Sequence, residues 1–335
     1  VLKTQVPALA TWCSLDIVEA DNPLYGGVIG RSGNKSANRM IREADFILAL
    51  GTRFASKAII NEKNFADKAK IVAVDIDRGE LEEGLISPQA KLQFDLREFL
   101  PRLLRAAESR NFAPKNKWLA EFGKLKEKYF RTDTLPEGTS YVSPYEFTEI
   151  LSEALPPNAI IVGDTGTSLC LFTHAYRAKI GQRFISSWGN SPMGYALPAS
   201  IGAHLARRDA PVVAITGDGG MQMNIQELQT IALHGFPIKV FILNNDCYAN
   251  VKFPAVDQFE GRFHALGRGM GYGAPDFVKI ANAYGIAAFA IEKGDDLRRK
   301  INEALSMKGP VVVDVKIDPE QRAFEDEEFV SPPPK

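Results

Sequence analysis

Short apolar runs that alternate with segments of helical spacing constrain the fold of this chain more than any other feature. In the C-terminal half, the predicted strands are residues 159–162, 212–216, 238–243 and 311–317, and the predicted helices are residues 195–207, 225–234, 275–284 and 296–306. Strands that are apolar throughout and alternate with helices are typical of a mostly parallel sheet covered on both faces. Ligands bind such sheets beyond the carboxyl ends of the strands.

A second, smaller α/β unit is predicted in the first third of the chain, and a length of 335 residues is consistent with two domains. Residues 46–50 and 71–75 are β-rich apolar runs, and residues 97–107 have helical spacing. The fold class is therefore α/β, with two doubly wound, mostly parallel-sheet domains. The predicted organisation is a central Rossmann-like domain at 1–110, a linker at 111–143, the larger domain at 144–320 and an exposed tail at 321–335.

The composition argues against several classes of protein. A net charge of −1 gives no basic field for nucleic acid or for an anionic membrane surface. The longest apolar runs have strand length, far below the roughly 20 residues that cross a bilayer. Cys13, Cys170 and Cys247 form no CxxC pair, which favours a reducing cytoplasm over a disulfide framework or a zinc site. Because the chain starts at Val1 without a signal-peptide pattern, we expect it to begin inside a larger protein.

The strongest functional motif is an apolar strand that ends in Gly217, Asp218, Gly219 and Gly220. Small residues at a strand end let the backbone approach a ligand closely. Alone, this motif is more often an ordinary glycine turn with a solvated aspartate. We predict that a helix follows, with Asn224 as its N-cap and Glu227 reaching back to it, so that a helix N-terminus faces the glycines and attracts phosphate.

The next predicted strand ends in two asparagines, and the second of them, Asn245, follows Asp218 by 27 positions. Adjacent parallel strands would place the oxygens of these two side chains side by side. Magnesium prefers oxygen ligands and is commonly held by one or two protein oxygens together with phosphates and water. Cys247 could add its backbone carbonyl, because its thiolate is too soft for magnesium. The alternative is that the asparagines are only a polar strand end.

The glycine-aspartate-glycine triplet, followed at this distance by the asparagine pair, resembles the signature of thiamine-diphosphate enzymes. Residues 188–203, WGNSPMGYALPASIGA, are similar to the acetolactate-synthase-like branch of that family. The resemblance extends over essentially the whole chain and covers a central domain and a diphosphate-binding domain, without a pyrimidine-binding domain. It implies an enzyme that decarboxylates a 2-oxo acid such as pyruvate and joins the two-carbon fragment to a carbonyl acceptor.

The resemblance also implies which residues bind thiamine diphosphate and magnesium. Magnesium would be held by Asp218, Asn245 and the Cys247 carbonyl. Met193 would support the bent form of the cofactor, and the Ser191 carbonyl would accept a hydrogen bond from its amino group. The full predicted cofactor-binding set is Gly166, Thr167, Ser168, Ser191, Met193, Gly217, Asp218, Gly219, Gly220, Asn245, Cys247, Tyr248 and Ala249. Without the resemblance, Met193 would be interpreted as an ordinary core residue.

The family's activating glutamate is expected on the pyrimidine-binding domain of a neighbouring subunit. No catalytic residue is therefore assigned in this chain, which is expected to be inactive alone and to work as a homodimer or homotetramer. Acetolactate synthases often carry FAD in the central domain, which this chain resembles at residues 27–30 and 49–54. The usual acidic pair is replaced here by Ala55, Ser56 and Lys57, which favours a structural domain over a flavin site.

The acceptor and the class of activity stay open at this point. Residues 248–254 contain no tryptophan where acetolactate synthases carry one, and are similar to carboligases that act on keto-deoxy sugar nucleotides. A simple 2-oxo acid decarboxylase, a degenerate partner subunit and a nucleotide-binding oxidoreductase are further candidates. The presence of Asp218 and Asn245 argues against a degenerate subunit that has lost its metal site. The lack of a Gly-x-Gly-x-x-Gly turn argues against the oxidoreductase. No role is assigned to His174, His264, Lys252 or Arg262.

Overall fold

The computed structural model describes residues 4–31, 33–59, 62, 65–110, 116–129, 139–262 and 264–323. These residues divide into two compact units, one within residues 1–132 and the other within residues 133–324. In the described part of the chain, no helix is both long enough and apolar enough to cross a bilayer.

The first unit contains two small parallel sheets. β1 (Ala8–Ala10) pairs with β2 (Tyr25–Val28), and β4 (Lys70–Asp75) lies between β3 (Phe46–Leu50) and β5 (Ala90–Gln93). The helices are α1 (Lys35–Glu43), α2 (Arg78–Glu83), α3 (Leu96–Glu108) and α4 (Asn116–Tyr129), and residues Trp12–Ser14 form a short 3-10 helix. The strands predicted at 46–50 and 71–75 and the helix predicted at 97–107 are confirmed.

The interval 111–143, expected to be a linker, contains helix α4. Leu119, Phe122 and Leu125 recur at helical spacing. Phe122 is fully buried, and α4 packs against α1 of the same unit. The interval therefore adds a helix to the first unit, and the apolar face of this helix is buried against α1.

The second unit is built on a fully parallel sheet of six described strands. They are β6 (Ile160–Gly163), β7 (Arg183–Ile185), β8 (Val212–Gly217), β9 (Lys239–Asn244), β10 (Ala287–Ile291) and β11 (Val311–Lys316). The helices are α5 (Pro144–Ala154), α6 (Gly166–Ala175), α7 (Ala196–Ala206), α8 (Asp218–Met223), α9 (Glu227–His234), α10 (Ala249–Gln258), α11 (Phe277–Ala283) and α12 (Leu297–Ser306). The strand order β10-β11-β9-β8-β6-β7 agrees with the predicted doubly wound sheet.

Helices cover both faces of this sheet, because successive side chains of a strand point to opposite faces. On one face, Val240 and Ile242 of β9 join a buried cluster with Leu228 and Ile231 of α9. On the other face, Phe241 packs against Phe147 of α5, with ring centroids 5.4 Å apart. Burial on both sides explains why the central positions of these strands are largely apolar.

The strand order changes direction at β6. The chain runs from β6 outward to β7 and then returns to β8 on the other side of β6. The carboxyl ends of β6, β8 and β9 are consequently neighbours at the point where open α/β sheets bind ligands. At the other end of this unit, the predicted exposed tail does not begin at residue 321, because Gln321 is buried and Arg322 pairs with Asp257. Residues 324–335 of that tail lie outside the described residues.

Candidate functional site

Two ten-residue helices begin at the ligand-binding edge of the large sheet. α6 begins at Gly166, directly after β6, and α10 begins at Ala249, after β9. A Cβ atom on Gly166 would lie 3.7 Å from the Cβ of Asn250, so the two helix N-termini are adjacent. The first turn of a helix leaves backbone N–H groups without intrahelical partners and carries a partial positive charge. This edge is therefore suited to a phosphorylated ligand.

The first turn of α6 is closely packed. Gly166 has φ +74°, a conformation that favours glycine, and Thr165 is the N-cap residue. Thr167 and Ser168 are buried, and Ser168 Oγ donates to the Thr165 carbonyl oxygen at 3.0 Å. A Cβ on Gly217, at the end of β8, would lie 3.3 Å from Ser168 Oγ, so the turn after β6 contacts the turn after β8.

The glycines lie in a short helix that the sequence patterns do not predict, and the helix predicted at 225–234 is α9. α8 begins at Asp218 with Gly217 as N-cap, and α9 begins at Glu227, so the glycines lie within the first turn of α8. The prediction that Asn224 is the N-cap of α9 is wrong, because that N-cap is Gln226 and Asn224 is the C-cap of α8. Its Nδ2 donates instead to the Gly194 carbonyl oxygen at 2.9 Å. The Asn224 side chain therefore bonds to Gly194, which is distant in sequence, and does not cap α9.

The glycines of α8 are required by close packing. A Cβ on Gly219 would lie 2.9 Å from Tyr248 Cδ1 and 3.0 Å from Met193 Cε. A Cβ on Gly220 would lie 3.0 Å from Asp164 Cγ. All three distances are shorter than ordinary van der Waals contacts. Side chains at these positions would displace the residues that surround the first turn of α8.

Three oxygen-bearing groups converge between the ends of β8 and β9. The side chains of Asp218 and Asn245 are buried. One terminal atom of the Asn245 amide lies 2.8 Å from the Cys247 carbonyl oxygen and 3.3 Å from Asp218 Oδ1. With nitrogen in this position the amide donates to both neighbours; with oxygen there, three oxygens face one another. Neighbouring ligands of an octahedral Mg²⁺ are about 3 Å apart, given metal–oxygen distances of about 2.1 Å. The second arrangement therefore fits a small cation.

The electrostatics of Asp218 favour the same interpretation. Within the described part of the chain, Asp218 Oδ2 is buried without a hydrogen-bond partner. Burial raises the pKa of Asp218 to about 7, against the lowering effect of hydrogen bonds from the Gly219 N–H and the Tyr272 hydroxyl. A cation next to this carboxyl group would favour its ionised form. The residues that fit a cation are therefore a carboxylate, an amide and a backbone carbonyl.

This oxygen cluster differs from a metal site made of charged or imidazole side chains alone. Among the described residues, no group of three His, Cys, Asp or Glu side chains could hold a metal ion. A cation at Asp218 would thus need further oxygens from a ligand or from water, as magnesium commonly does.

Cys247 presents its carbonyl rather than its sulfur to this cluster. Its Sγ donates to the Pro319 carbonyl oxygen at 3.6 Å, and burial raises the pKa of the thiol to about 12. The thiol is therefore protonated near neutral pH and is unsuited to a hard cation. Asp246, between Asn245 and Cys247, has φ +54°, and its Oδ1 accepts from the Ala274 N–H at 2.6 Å. Asp246 is thus a left-handed residue with its side chain hydrogen-bonded to the backbone of Ala274.

Met193 lies in the turn that faces the glycines of α8. Its side chain is 37% exposed, so the interpretation of Met193 as an ordinary core residue is wrong. Ser191 has φ +47°, a strained conformation for a residue with a side chain. The Ser191 N–H donates to the Ser187 carbonyl oxygen at 2.7 Å, and its Oγ donates to the Trp188 carbonyl oxygen at 3.1 Å. These hydrogen bonds hold an apolar side chain in a partly open position over Gly219.

Two residues of the site are not identified by the sequence patterns. Asp164 is buried and accepts hydrogen bonds from the Gly194 and Ala196 N–H groups, next to Met193, and from the Thr216 hydroxyl of β8. Its position directly after a predicted strand and before Gly166 was the available signal. Tyr272 packs on Tyr248, with ring centroids 4.1 Å apart, and its hydroxyl accepts from Gln222 Nε2 at 3.0 Å. Nothing in the local pattern of residues 265–273 distinguishes this tyrosine.

The remaining polar candidates lie apart from this site or have other partners. Lys252 is buried and forms an ion pair with Glu320, so it is unavailable to an anionic substrate. Arg262 is exposed and donates to the Phe259 carbonyl oxygen at 3.3 Å. His174 lies at the far end of α6 and stacks on Tyr145. His264 is exposed. None of these residues contacts the oxygen cluster.

Two family models match the chain, and one of them covers most of the large sheet and the residues at its ligand-binding edge. The C-terminal TPP binding domain of thiamine pyrophosphate enzymes matches residues 164–315, and the central domain of thiamine pyrophosphate enzymes matches residues 1–103. The chain belongs to the thiamine pyrophosphate enzymes.

Within that family, the chain is similar to acetolactate synthase large subunits. It is 31% identical to a probable acetolactate synthase large subunit of Methanocaldococcus jannaschii, over 94% of this chain and 53% of the relative. It is 33% identical to the acetolactate synthase large subunit of Cyanidium caldarium, over 92% and 52%. It is 29% identical to the isozyme 1 large subunit of Escherichia coli, over 96% and 56%. The chain thus spans about half the length of the curated relatives it matches.

Proposed function

We propose that this chain forms the central and cofactor-binding domains of a magnesium-dependent carboligase of the acetolactate synthase type. Its donor would be a 2-oxo acid such as pyruvate, and its acceptor a second carbonyl compound. The observation that carries the proposal is the convergence of Asp218, Asn245 and the Cys247 carbonyl beside two helix N-termini. The family membership and the relatives support the same reaction class.

The chain's own residues would hold the cofactor at its two ends. The backbone N–H groups at the starts of α6 and α10 would bind the diphosphate, with Gly219 and Gly220 allowing close approach. Asp218, Asn245 and the Cys247 carbonyl would hold Mg²⁺, which also neutralises the diphosphate. Met193 would contact the cofactor between its two rings, and the Ser191 carbonyl would accept from its amino group.

When bound, thiamine diphosphate supplies the electron sink that decarboxylation of a 2-oxo acid requires. The protein contributes orientation and the exclusion of water. The paired rings of Tyr248 and Tyr272 border Asp218 and Gly219, so they form an apolar wall beside the metal site. Tight packing there would limit the access of water to the reacting atoms.

The proposal also includes parts that this chain does not supply. The activating glutamate would come from a pyrimidine-binding domain across a subunit interface, which requires a homodimer or homotetramer. The first unit would have a structural role, since Ala55, Ser56 and Lys57 replace the acidic pair associated with FAD. We place the enzyme in the cytoplasm, because a reducing compartment suits three widely spaced cysteines.

One observation favours a second candidate, a carboligase with a keto-deoxy sugar nucleotide as acceptor. The first turn of α10 carries Asn250 and Val251, both exposed, and the segment around them contains no tryptophan. A first turn without a bulky aromatic side chain leaves more room beside Tyr248. A larger acceptor would fit this arrangement better than a second pyruvate-sized molecule.

The test is titration calorimetry of thiamine diphosphate in the presence of magnesium, on the natural full-length protein and its Asp218→Ala variant. We expect magnesium-dependent binding by the unaltered protein and its loss in the variant. Product analysis with pyruvate and candidate acceptors then separates the two carboligase activities. An unaltered protein that does not bind thiamine diphosphate would contradict the proposal.

A further inference from the structure

Asp164 is a buried carboxylate that is not among the residues proposed to bind the cofactor. It follows β6 directly, and only 2% of its surface is exposed. A buried carboxylate is energetically costly unless hydrogen bonds compensate for its lost hydration. The hydrogen-bond partners of Asp164 therefore indicate its structural role. The donors that reach its side chain are neutral: N–H groups next to Met193, the Thr216 hydroxyl of β8 and the adjacent Thr165 N–H.

Asp164 fastens both ends of the turn that carries Met193. Its Oδ1 accepts from the Gly194 N–H at 2.9 Å, and its Oδ2 accepts from the Ala196 N–H at 3.3 Å. At the start of the turn, Ser186 Oγ donates to the backbone carbonyl oxygen of Asp164 at 2.9 Å. The position of the turn is thus set by the residue that ends β6.

A second side chain holds Gly194 from the opposite direction. The Gly194 carbonyl oxygen accepts from Nδ2 of Asn224, at the end of α8, at 2.9 Å. Gly194 has φ +84°, and a Cβ there would lie 2.7 Å from Met223 Cβ, so only glycine fits between the two attachments. The N–H and the C=O of one residue are therefore held by two elements that also border the phosphate-binding turns.

We propose that Asp164 and Asn224 form a clamp on Gly194, which positions Met193 over Gly219 and thereby sets the conformation in which thiamine diphosphate is held. This inference rests on the proposed function. The clamp joins the elements around the diphosphate to the turn that contacts the rest of the cofactor. Asp164 and Asn224 act through Gly194, so they are positioning residues. Their loss should weaken binding of the whole cofactor without weakening binding of its diphosphate.

The test compares two ligands in the presence of magnesium, thiamine diphosphate and inorganic diphosphate, by calorimetry on the natural full-length protein. Gly194 and Ala196 donate to different carboxylate oxygens of Asp164, so in an Asp164→Asn variant one of these two N–H groups faces an amide nitrogen, which cannot accept. We expect the Kd for thiamine diphosphate to rise about tenfold or more, and the Kd for inorganic diphosphate to stay within about twofold.

Thr216→Val is the matched control. Thr216 is equally buried, and its Oγ1 donates to the same Asp164 Oδ2 at 3.0 Å, but it makes no hydrogen bond to the turn. Both dissociation constants should therefore stay within about threefold of those of the unaltered protein. A selective effect in Asp164→Asn, absent from Thr216→Val, supports the clamp.

Two outcomes would overturn the clamp: unchanged affinity for thiamine diphosphate in Asp164→Asn, or an equal loss of both ligands, which signals general damage to the fold. If Asp164→Asn does not fold, the same titrations are made on Asn224→Ala, at a less buried position. A selective loss of thiamine diphosphate there supports the clamp, and an unchanged affinity overturns it. An unaltered protein that binds neither ligand would overturn the proposed function itself, and the clamp with it, so the two failures are distinguishable.

Discussion

Asn244 donates from Nδ2 to the buried carboxylate of Asp314, Oδ1, at 2.9 Å, and thereby links β9 to β11 immediately before the loop at residues 245–248. The Asn244 Oδ1 accepts from the Asp246 N–H at 3.1 Å, so the same side chain also holds the loop. Its neighbour Asn245 points to Asp218 instead. Two adjacent asparagines thus have different functions, the first structural and the second suited to a metal ion.

Alanine substitutions should separate these functions. Asn244→Ala removes the donor to Asp314 Oδ1 and leaves this carboxylate with the Lys316 ammonium on Oδ2, so it is expected to lower the free energy of unfolding by about 1–3 kcal/mol. Asn245→Ala is expected to cost no more than about 1 kcal/mol, because the hydrogen bonds from its amide to the Cys247 carbonyl and Asp218 Oδ1 contribute little net stability, but to abolish magnesium-dependent cofactor binding. Chemical denaturation and calorimetry on both variants check this. Equal stability losses, with cofactor binding retained in Asn245→Ala, would contradict the division of roles.

Replacement of Cys247 tests whether its carbonyl or its sulfur serves the metal. Cys247→Ala keeps the backbone carbonyl, so the magnesium dependence of cofactor binding should change by less than about threefold. Because burial raises the pKa of this thiol to about 12, its thiolate is scarce near neutral pH. Iodoacetamide should therefore label the exposed Cys13 well before Cys247, as mass spectrometry of peptides would show. Loss of magnesium binding in Cys247→Ala would indicate a sulfur ligand.

The close packing of Gly219 predicts a strong effect of one added methyl group. Gly219→Ala places a Cβ against Tyr248 and Met193, which is expected to cost about 1–3 kcal/mol of stability and to weaken cofactor binding. The matched control is Gly202→Ala, in the interior of α7, where no atom lies near the added Cβ. That control should gain roughly 0.5–1 kcal/mol, because alanine stabilises a helix relative to glycine. Thermal unfolding of the two variants gives shifts of opposite sign if the packing is as described.

The buried imidazole of His204 should make the free energy of unfolding depend on pH. Burial lowers the pKa of this imidazole below its ordinary value of about 6.5, and its ring lies 5.0 Å from that of Phe236. Below that value the unfolded chain binds a proton more readily than the folded one, so stability is lost as the pH falls from about 6.5 to the folded-state pKa. Denaturation between pH 5 and pH 8 should show this loss. His204→Phe should reduce the slope, and an unchanged slope would exclude His204 as its source.

Several features of this protein follow from local sequence alone. Continuous apolar runs identify buried parallel strands, because only a sheet covered on both faces has no polar side. The spacing of 27 residues between Asp218 and Asn245 places both at the carboxyl ends of adjacent strands, β8 and β9, as expected. Family resemblance then indicated the same residues as ligands. The helix start at Asn224 was mispredicted, because capping rules weigh only neighbours in sequence and cannot include the acceptor at Gly194.

Only the tertiary structure distinguishes residues that share one local pattern. Asn244 and Asn245 are equivalent as sequence, and Asp164 resembles any polar residue in a strand-to-helix turn. Their roles depend on partners 30 to 70 positions away, such as Gly194 for Asp164 and Asp314 for Asn244. Hydrophobic periodicity is a property of one segment and can be read from it. A hydrogen bond between distant segments depends on distance and direction in the folded chain, and folding alone determines these.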